Sequence, residues 1–261
     1  MKNLVLGAAI GYRPKDIKTF VKSFRKHNKV DDVFLLVYKN IDAEGETKEF
    51  LKEYNINYLV CDETYVKGAS INNTRYFKYL EFLKENRYKN IFLTDVRDVV
   101  FLENLFDGLF ANEFLWCFEE DGVIGKNPYM KRWIEAVFDT SILDRLKTKK
   151  IICSGTIIGS YDNIVKYLER MCHFIKNLDK WSYKITGIDQ GIHNWIVYNE
   201  SESFSGFEIK ENGDWVATIG LTNPDNIKIK LDTIYLYDRC PKVVHQYDRK
   251  PNVESYINES F

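Results

Sequence analysis

The sequence has no excess of charge, no paired cysteine motif and no long apolar run, and each absence excludes a class of protein. Lysine and arginine number 37 against 38 aspartates and glutamates, a formal net charge of −1. That leaves no electrostatic footprint for a general nucleic-acid binder. The five cysteines, Cys61, Cys117, Cys153, Cys172 and Cys240, are scattered with no Cys-x-x-Cys pair. An odd count at wide spacing argues against a disulfide framework or a zinc site, so a reducing cytoplasm is the expected setting. No stretch approaches the roughly 18 apolar residues of a membrane span. Lys2 followed by Leu4 to Ile10 stands at the minimum length for a signal peptide. Gly11-Tyr12-Arg13-Pro14 is no small-residue cleavage site, however, and a first buried strand is the better reading. No repeat, low-complexity segment or linker divides the chain.

What the chain does have is an alternation of strand-like and helix-like segments. At 261 residues, 45% hydrophobic and 29% charged, it has the length and composition of one large soluble α/β domain. Leu4 to Ile10 is a continuous apolar run, the mark of a strand covered on both faces. Ile17, Phe20, Val21 and Phe24 follow at helical spacing. Val33 to Val37 reads as a second strand, Gly45 to Tyr54 as a second helix and Ile56 to Val60 as a third strand. This β-α-β-α-β order predicts a mostly parallel central sheet with right-handed crossovers and flanking helices. The last third differs. Trp215 to Ile219, Ile227 to Lys230, Thr233 to Leu236 and Lys242 to His245 are short strand-like pieces with turn residues between them, which predicts a small antiparallel C-terminal annex.

The chemistry concentrates in Asn90 to Phe101. Ile91 to Leu93 reads as a buried strand that ends in Thr94-Asp95-Val96-Arg97-Asp98. Residues i and i+3 of a regular strand point to opposite faces, so Asp95 and Asp98 converge only if the strand stops near Asp95 and the chain turns. Two carboxylates at the carboxyl end of a strand in an open α/β sheet lie where such sheets bind ligands. Hard oxygen ligands there suit Mg²⁺ or Mn²⁺ holding a diphosphate. The competing reading is a surface turn in which Arg97 pairs with one aspartate.

Further candidates surround this stretch. Ala9, Gly11, Tyr12 and Arg13 end the first strand, where Tyr12 could stack on a base and Arg13 could meet phosphate. Arg75 falls in the first turn of a helix, where a cation opposes the macrodipole unless an anion sits beside it; a diphosphate or Asp95 and Asp98 would serve. Ile151 to Ser160 is apolar at both ends but small at Ser154-Gly155-Thr156, and a glycine inside a strand marks a bulge or a close approach. Asp189 and Gln190 open a helix after Gly187, a position that suits either a cap or a sugar-facing carboxylate. Glu119-Glu120-Asp121-Gly122 reads as an acidic, glycine-containing loop that could recognise sugar hydroxyls, a solvated loop being the commoner case, and Asp162 reads as the cap of the long helix after Ser160. His245 closes an apolar pair at a strand end. Aromatic residues make up 15% of the chain; they often build sugar-binding walls, although core packing is the commoner use.

In their order along the chain these stations resemble the GT-A fold of nucleotide-sugar-dependent glycosyltransferases, the class that includes glycogenin-like and lipopolysaccharide galactosyltransferase-like enzymes. The stations are Gly11-Tyr12-Arg13, the Arg75 helix, Thr94-Asp95-Val96-Arg97-Asp98, Ser154-Gly155, Asp189-Gln190-Gly191 and Val243-Val244-His245. The resemblance implies a single domain over 1–261, with residues to about 110 forming a nucleotide-binding half and the rest an acceptor half with the annex. It implies a UDP-sugar donor, bound through Ala9, Gly11, Tyr12, Arg13, Arg75, Asp95 and Arg97. Mn²⁺ or Mg²⁺ would be held by Asp95, Asp98 and His245, with Asp189 and Gln190 as catalytic residues. A glycan, lipid or protein hydroxyl would be accepted beside Ser154, Gly155 and Trp215. The motif departs from the usual Asp-x-Asp, which leaves open which carboxylate meets metal and which ribose. The alternatives are a sugar-phosphate nucleotidyltransferase, for which the loop after the first strand is short and poor in glycine, and a non-catalytic carbohydrate-binding or scaffold protein.

Overall fold

A computed structural model of the protein describes residues 1–38, 42–61 and 70–261. The chain runs β1 (Leu4–Ala8), α1 (Pro14–His27), β2 (Asp32–Tyr38), α2 (Asp42–Glu53), β3 (Asn57–Cys61), α3 (Ile71–Glu85), β4 (Asn90–Thr94), β5 (Val99–Phe101) and β6 (Leu115–Val123). It continues through α4 (Pro128–Glu135), α5 (Thr140–Leu146), β7 (Lys150–Ser160), α6 (Tyr161–Lys176), α7 (Ile188–Asn199), β8 (Phe207–Lys210) and β9 (Val216–Thr218). It ends with β10 (Ile227–Lys230), β11 (Thr233–Leu236), β12 (Val243–His245) and α8 (Pro251–Ser260).

One large sheet runs β3-β2-β1-β4-β7-β6-β9-β12-β5, with β8 paired to β6. Most pairings are parallel; β7 runs antiparallel to both β4 and β6, and β5 antiparallel to β12. From β1 the chain builds outward to β2 and β3, then returns to the other side of β1 as β4. This reversal opens a crevice at the carboxyl ends of β1 and β4, whose last paired residues are Gly7 and Thr94. The apolar stripe of α1 seats on β5, with Phe20 and Phe24 packing edge-on against Phe101 at 5.2 and 5.1 Å. Each such buried side chain contributes about 1.5–3 kcal/mol. Among the described residues no helix is long and apolar enough to cross a membrane.

Three local expectations change. The acidic Glu119–Gly122 segment is strand, not loop: Glu119 and Glu120 pair with Ile152 and Ile151. The pleat therefore buries Glu120 and turns its neighbours outward. The cap of α6 is Ser160, while Asp162 lies in the first turn and pairs with Arg87 at 3.1 Å. Of the four late strand-like pieces, β10 and β11 alone form the antiparallel annex; β9 and β12 join the main sheet, parallel to each other.

His193, on α7, is fully buried, and its Nδ1 shares a hydrogen bond with Tyr167 Oη at 2.9 Å. Burial pushes its pKa down to about 3. The folded protein thus keeps this ring neutral where the unfolded chain, with a pKa near 6.5, takes up a proton. Stability is lost as pH falls from about 6.5 toward 3, by about 1.4 kcal/mol per unit. His193→Gln should lose less melting temperature than the parent between pH 7 and pH 4; parallel losses would show that this ring does not govern acid unfolding.

Candidate functional site

β4 stops at Thr94, and the next residue is tied down at once: the Asp95 N–H donates to the Gly155 carbonyl at 2.8 Å. The chain then turns through Asp98 into β5. β5 pairs antiparallel with β12, so Val99 lies opposite His245 and the Gln246 N–H donates to the Asp98 carbonyl at 2.8 Å. A strand end and a cross-strand register thus bring together three side chains far apart in sequence. One ligand atom from each of Asp95, Asp98 and His245 lies within 4.8 Å of the others. His245 Nε2 stands 3.5 Å from Asp95 Oδ2 and 3.7 Å from Asp98 Oδ1.

His245 is buried, and its Nδ1 faces Cys153 Sγ at 3.4 Å and Thr218 Oγ1 at 3.5 Å. Its Nε2 has no hydrogen-bond partner among the described residues. A buried imidazole nitrogen without a partner, facing two carboxylate oxygens, fits a divalent cation, and the donor set suits Mn²⁺ or Mg²⁺. Burial alone would lower the His245 pKa, but Cys153 and the two aspartates raise it well above the usual value. Burial pushes the Asp95 carboxyl up, yet Arg75 and His245 outweigh it and hold the group well below the usual range. Asp98 goes the other way: burial raises it, and His245 does not offset the combined effect of burial, Asp95 and Asp248.

The floor of the cluster is a bulge in β7. Pairing with β6 jumps from Cys117–Ile157 to Phe118–Cys153, so Ser154-Gly155-Thr156 is left over on one strand. A Cβ on Gly155 would lie 2.6 Å from both Asp95 Oδ2 and His245 Cε1. Gly155→Ala should therefore push two of the three ligands apart and weaken Mn²⁺ binding by about tenfold or more, within the range seen when ligand-supporting positions are changed. Calorimetric titration with Mn²⁺ at an unchanged melting temperature is the test, and parental affinity would show that the bulge does not set the cluster.

Arg75 is 6% exposed and is the fifth residue of α3, just past its first turn. The anion its position demands is supplied by two carboxylates: its Nη1 pairs with Asp95, and its Nη2 lies 3.2 Å from Asp189 Oδ2. Tyr76 Oη donates to the same Asp189 oxygen at 3.0 Å. Asp189 follows Gly187, which takes a left-handed φ of 88° at the start of α7. Gln190 braces the bulge rather than presenting a free amide: its Oε1 accepts from the Ser154 N–H at 2.6 Å, and its Nε2 donates to Glu120 Oε1 and the Ile152 carbonyl at 3.1 and 2.9 Å.

Two adjoining cavities meet at this network, sharing Asn72, Arg75, Asp95 and Arg249. The larger, about 290 Å³, is lined by Glu120, Cys153, Ser154, Gly155, Asp189, Gln190 and His245, with Tyr129 and Trp133 on one wall. The smaller, about 200 Å³, runs past Ala8, Ile10, Tyr12, Arg97 and Asp98. Together they fall in the range of small-molecule sites, about 300–1,000 Å³. Arg97 reaches Asp248 at 2.8 Å and stands 4.0 Å from Asp98.

The expected residues divide. Asp95, Asp98, His245, Arg75, Arg97, Tyr12, Ser154, Gly155, Asp189 and Gln190 surround the two cavities. Ala9 is buried, its N–H bonded to the Leu36 carbonyl, while Gly11 makes the turn after β1 with φ 79° and Arg13 is exposed at the start of α1. Trp215 lines neither cavity. Its indole packs on Trp116 at 5.2 Å and donates to the Leu105 carbonyl, because it precedes β9 at the end opposite Thr218, the residue that meets His245. Sequence reasoning missed Asn72, Cys153, Gln246 and Arg249, and it set Glu120 in a solvated loop. The run Leu115-Trp116-Cys117-Phe118-Glu119-Glu120 has no alternation to show that β6 continues through Glu120.

No protein-family model matches this chain, and no curated protein matches it in sequence. Among solved structures it is similar to an active-site glutamine-to-glutamate mutant of LgtC, a glycosyltransferase, with a TM-score of 0.61 over 98% of this chain and 95% of that chain at 12% sequence identity. The likeness shows the fold: a GT-A-like, mostly parallel central sheet flanked by helices, with a small antiparallel sheet beside it.

Proposed function

We propose that this protein is a metal-dependent glycosyltransferase that moves a sugar from a nucleoside diphosphate, UDP being the first candidate, to a hydroxyl on a glycan, lipid or protein. The observation that carries the reading is the Asp95, Asp98 and His245 cluster at the carboxyl end of β4, on a fold like that of LgtC. Mn²⁺ or Mg²⁺ held by these three residues would supply positive charge to a departing diphosphate. In the transfer the acceptor oxygen bonds to the anomeric carbon as the bond from that carbon to the diphosphate breaks, its electron pair leaving with the phosphate. The acceptor proton passes to a base.

The chain's own residues supply the rest. Arg75 holds Asp95 and Asp189 in one frame. Tyr12 offers a ring, and Arg97 a cation, along the smaller cavity for the nucleoside and its phosphates. Asp189 stands in the larger cavity, where its carboxylate would stabilise an oxocarbenium-like sugar or take the acceptor proton. Ser154 and Gly155 border the acceptor. Residues to about 110 serve mainly the donor and the remainder the acceptor, within one domain in a cytoplasmic setting suited to scattered cysteines with no Cys-x-x-Cys pair.

A thermal-shift screen of nucleoside diphosphates with and without Mn²⁺ tests the reading. UDP with Mn²⁺ at about 100 times its dissociation constant should add about 2.7 kcal/mol, a rise of several degrees, and neither alone should match it. No shift with any nucleotide would return the protein to the scaffold class. Pyrophosphate release from a sugar phosphate and a nucleoside triphosphate would make it a nucleotidyltransferase.

A further inference from the structure

The larger cavity has an aromatic wall that donor chemistry leaves unused. Asn127 caps α4, its Oδ1 accepting from the Tyr129 and Met130 N–H groups at 3.0 and 3.1 Å. Tyr129 and Trp133 stand one turn apart on the same helix face, with ring centroids 5.9 Å apart and planes inclined at 33°. The indole is held from below. A Cβ on Gly187 would lie 2.3 Å from Trp133 Cζ2, and one on Gly191 would lie 2.9 Å from the Trp133 carbonyl, so α4 seats on the start of α7 only over glycine. Tyr129, by contrast, is 64% exposed while lining the cavity. The sequence thus sets a rigid indole and an open phenol ring on the wall of the cleft that also holds Asp189.

The rest of the lining decides what suits this wall. Glu120 and Asn127 line the same cavity; the bond from Gln190 takes Glu120 Oε1 and the α4 cap takes Asn127 Oδ1, which leaves a second carboxylate oxygen and the Asn127 amide N–H groups for a ligand. An acyl chain would cover these groups without bonding them, at a cost of about 1–3 kcal/mol for each left unpaired. A pyranose fits both surfaces. Its weakly positive C–H face meets the negative face of an aromatic ring, and its hydroxyls reach carboxylate and amide partners. We infer that the acceptor is a saccharide and that Tyr129 and Trp133 form the platform beneath its ring. The inference rests on the glycosyl-transfer reading and narrows its acceptor to one class.

The test is saturation-transfer NMR on the full chain with UDP and Mg²⁺. The probes are methyl glycosides of glucose, galactose, mannose and N-acetylglucosamine, with cellobiose and maltose. At least one should receive saturation, mainly on ring C–H protons. Tyr129→Ala should weaken that sugar about tenfold, and Tyr129→Phe by no more than about twofold, since the ring and not the hydroxyl makes the contact. Trp133→Phe, which keeps an aromatic over Gly187, should fall between them. UDP affinity by calorimetry should be equal in all variants. The platform is overturned if no sugar binds a protein that binds UDP with Mg²⁺, if Tyr129→Ala binds sugar undiminished, or if Tyr129→Phe loses as much as alanine. Transfer to octanol or to a serine peptide, without sugar binding, overturns it as well. If the parent protein binds no UDP, the glycosyl-transfer reading fails first and the platform with it.

Discussion

Asp98→Asn should abolish metal-dependent UDP binding while leaving the metal-free protein at least as stable as the parent. Asp98 is buried at the head of β5. Among the described residues its ion-pair contacts are Arg97, 4.0 Å away and closer to Asp248, and His245 at 3.7 Å, which counts only when protonated. Burial and the neighbouring Asp95 and Asp248 raise its pKa. A carboxyl whose folded pKa is raised favours the folded state below the ordinary carboxylate range, and that contribution is lost as pH climbs through the raised value. At neutral pH its ionisation is therefore a cost to the apoprotein that a bound cation would relieve. Asparagine keeps the shape, removes that cost and removes one of three ligands. UDP affinity in the presence of Mn²⁺ should fall by more than about 100-fold, or roughly 2.7 kcal/mol, and urea unfolding without metal should shift toward greater stability. Unchanged metal-dependent binding would take Asp98 out of the site. A clear loss of apoprotein stability would make it a structural residue instead.

Much of this arrangement is legible in the sequence because it rests on local rules. The Asp95 and Asp98 spacing cannot converge on a regular strand, so it requires the turn seen between β4 and β5. An arginine near the start of a helix favours an anionic partner, and Arg75, the fifth residue of α3, has two. A glycine inside an apolar strand signals close approach, and Gly155 lies under Asp95 and His245. What sequence hides is set by partners distant in the chain. β9 and β12 are three residues each, too short for periodicity, and their places depend on pairing with each other and with β5. Glu120 is lost among acidic neighbours until β6 is known to continue through them. The resemblance implied Trp215 beside the acceptor, whereas its ring packs on Trp116 and lines neither cavity. The aromatic wall is instead Tyr129 and Trp133, whose role depends on where α4 docks.

Asp189→Asn separates chemistry from architecture. Asparagine has nearly the same shape and still accepts a hydrogen bond from Tyr76 or Arg75, so a purely structural Asp189 would survive the change with little loss. A carboxylate that faces developing positive charge would not. Removing one such preorganised electrostatic partner costs about 100- to 1,000-fold in turnover. We expect a loss of that size, with Mn²⁺-dependent UDP affinity within a few-fold of the parent. The second condition matters because Arg75 grips Asp95 as well, and a disturbed arginine would show first as weaker metal binding. Tyr76→Phe is the control. It deletes the 3.0 Å bond to Asp189 but keeps the charge, and should cost far less turnover than Asp189→Asn. Burial raises the Asp189 pKa against the pull of Arg75. If the ionised form is the working one, the acid limb of the turnover profile lies above the usual carboxylate range and vanishes in the variant. Full turnover in Asp189→Asn would show that this carboxylate only ties α7 to α3. An equal loss of turnover and UDP binding would show that it acts through Arg75 on the metal cluster.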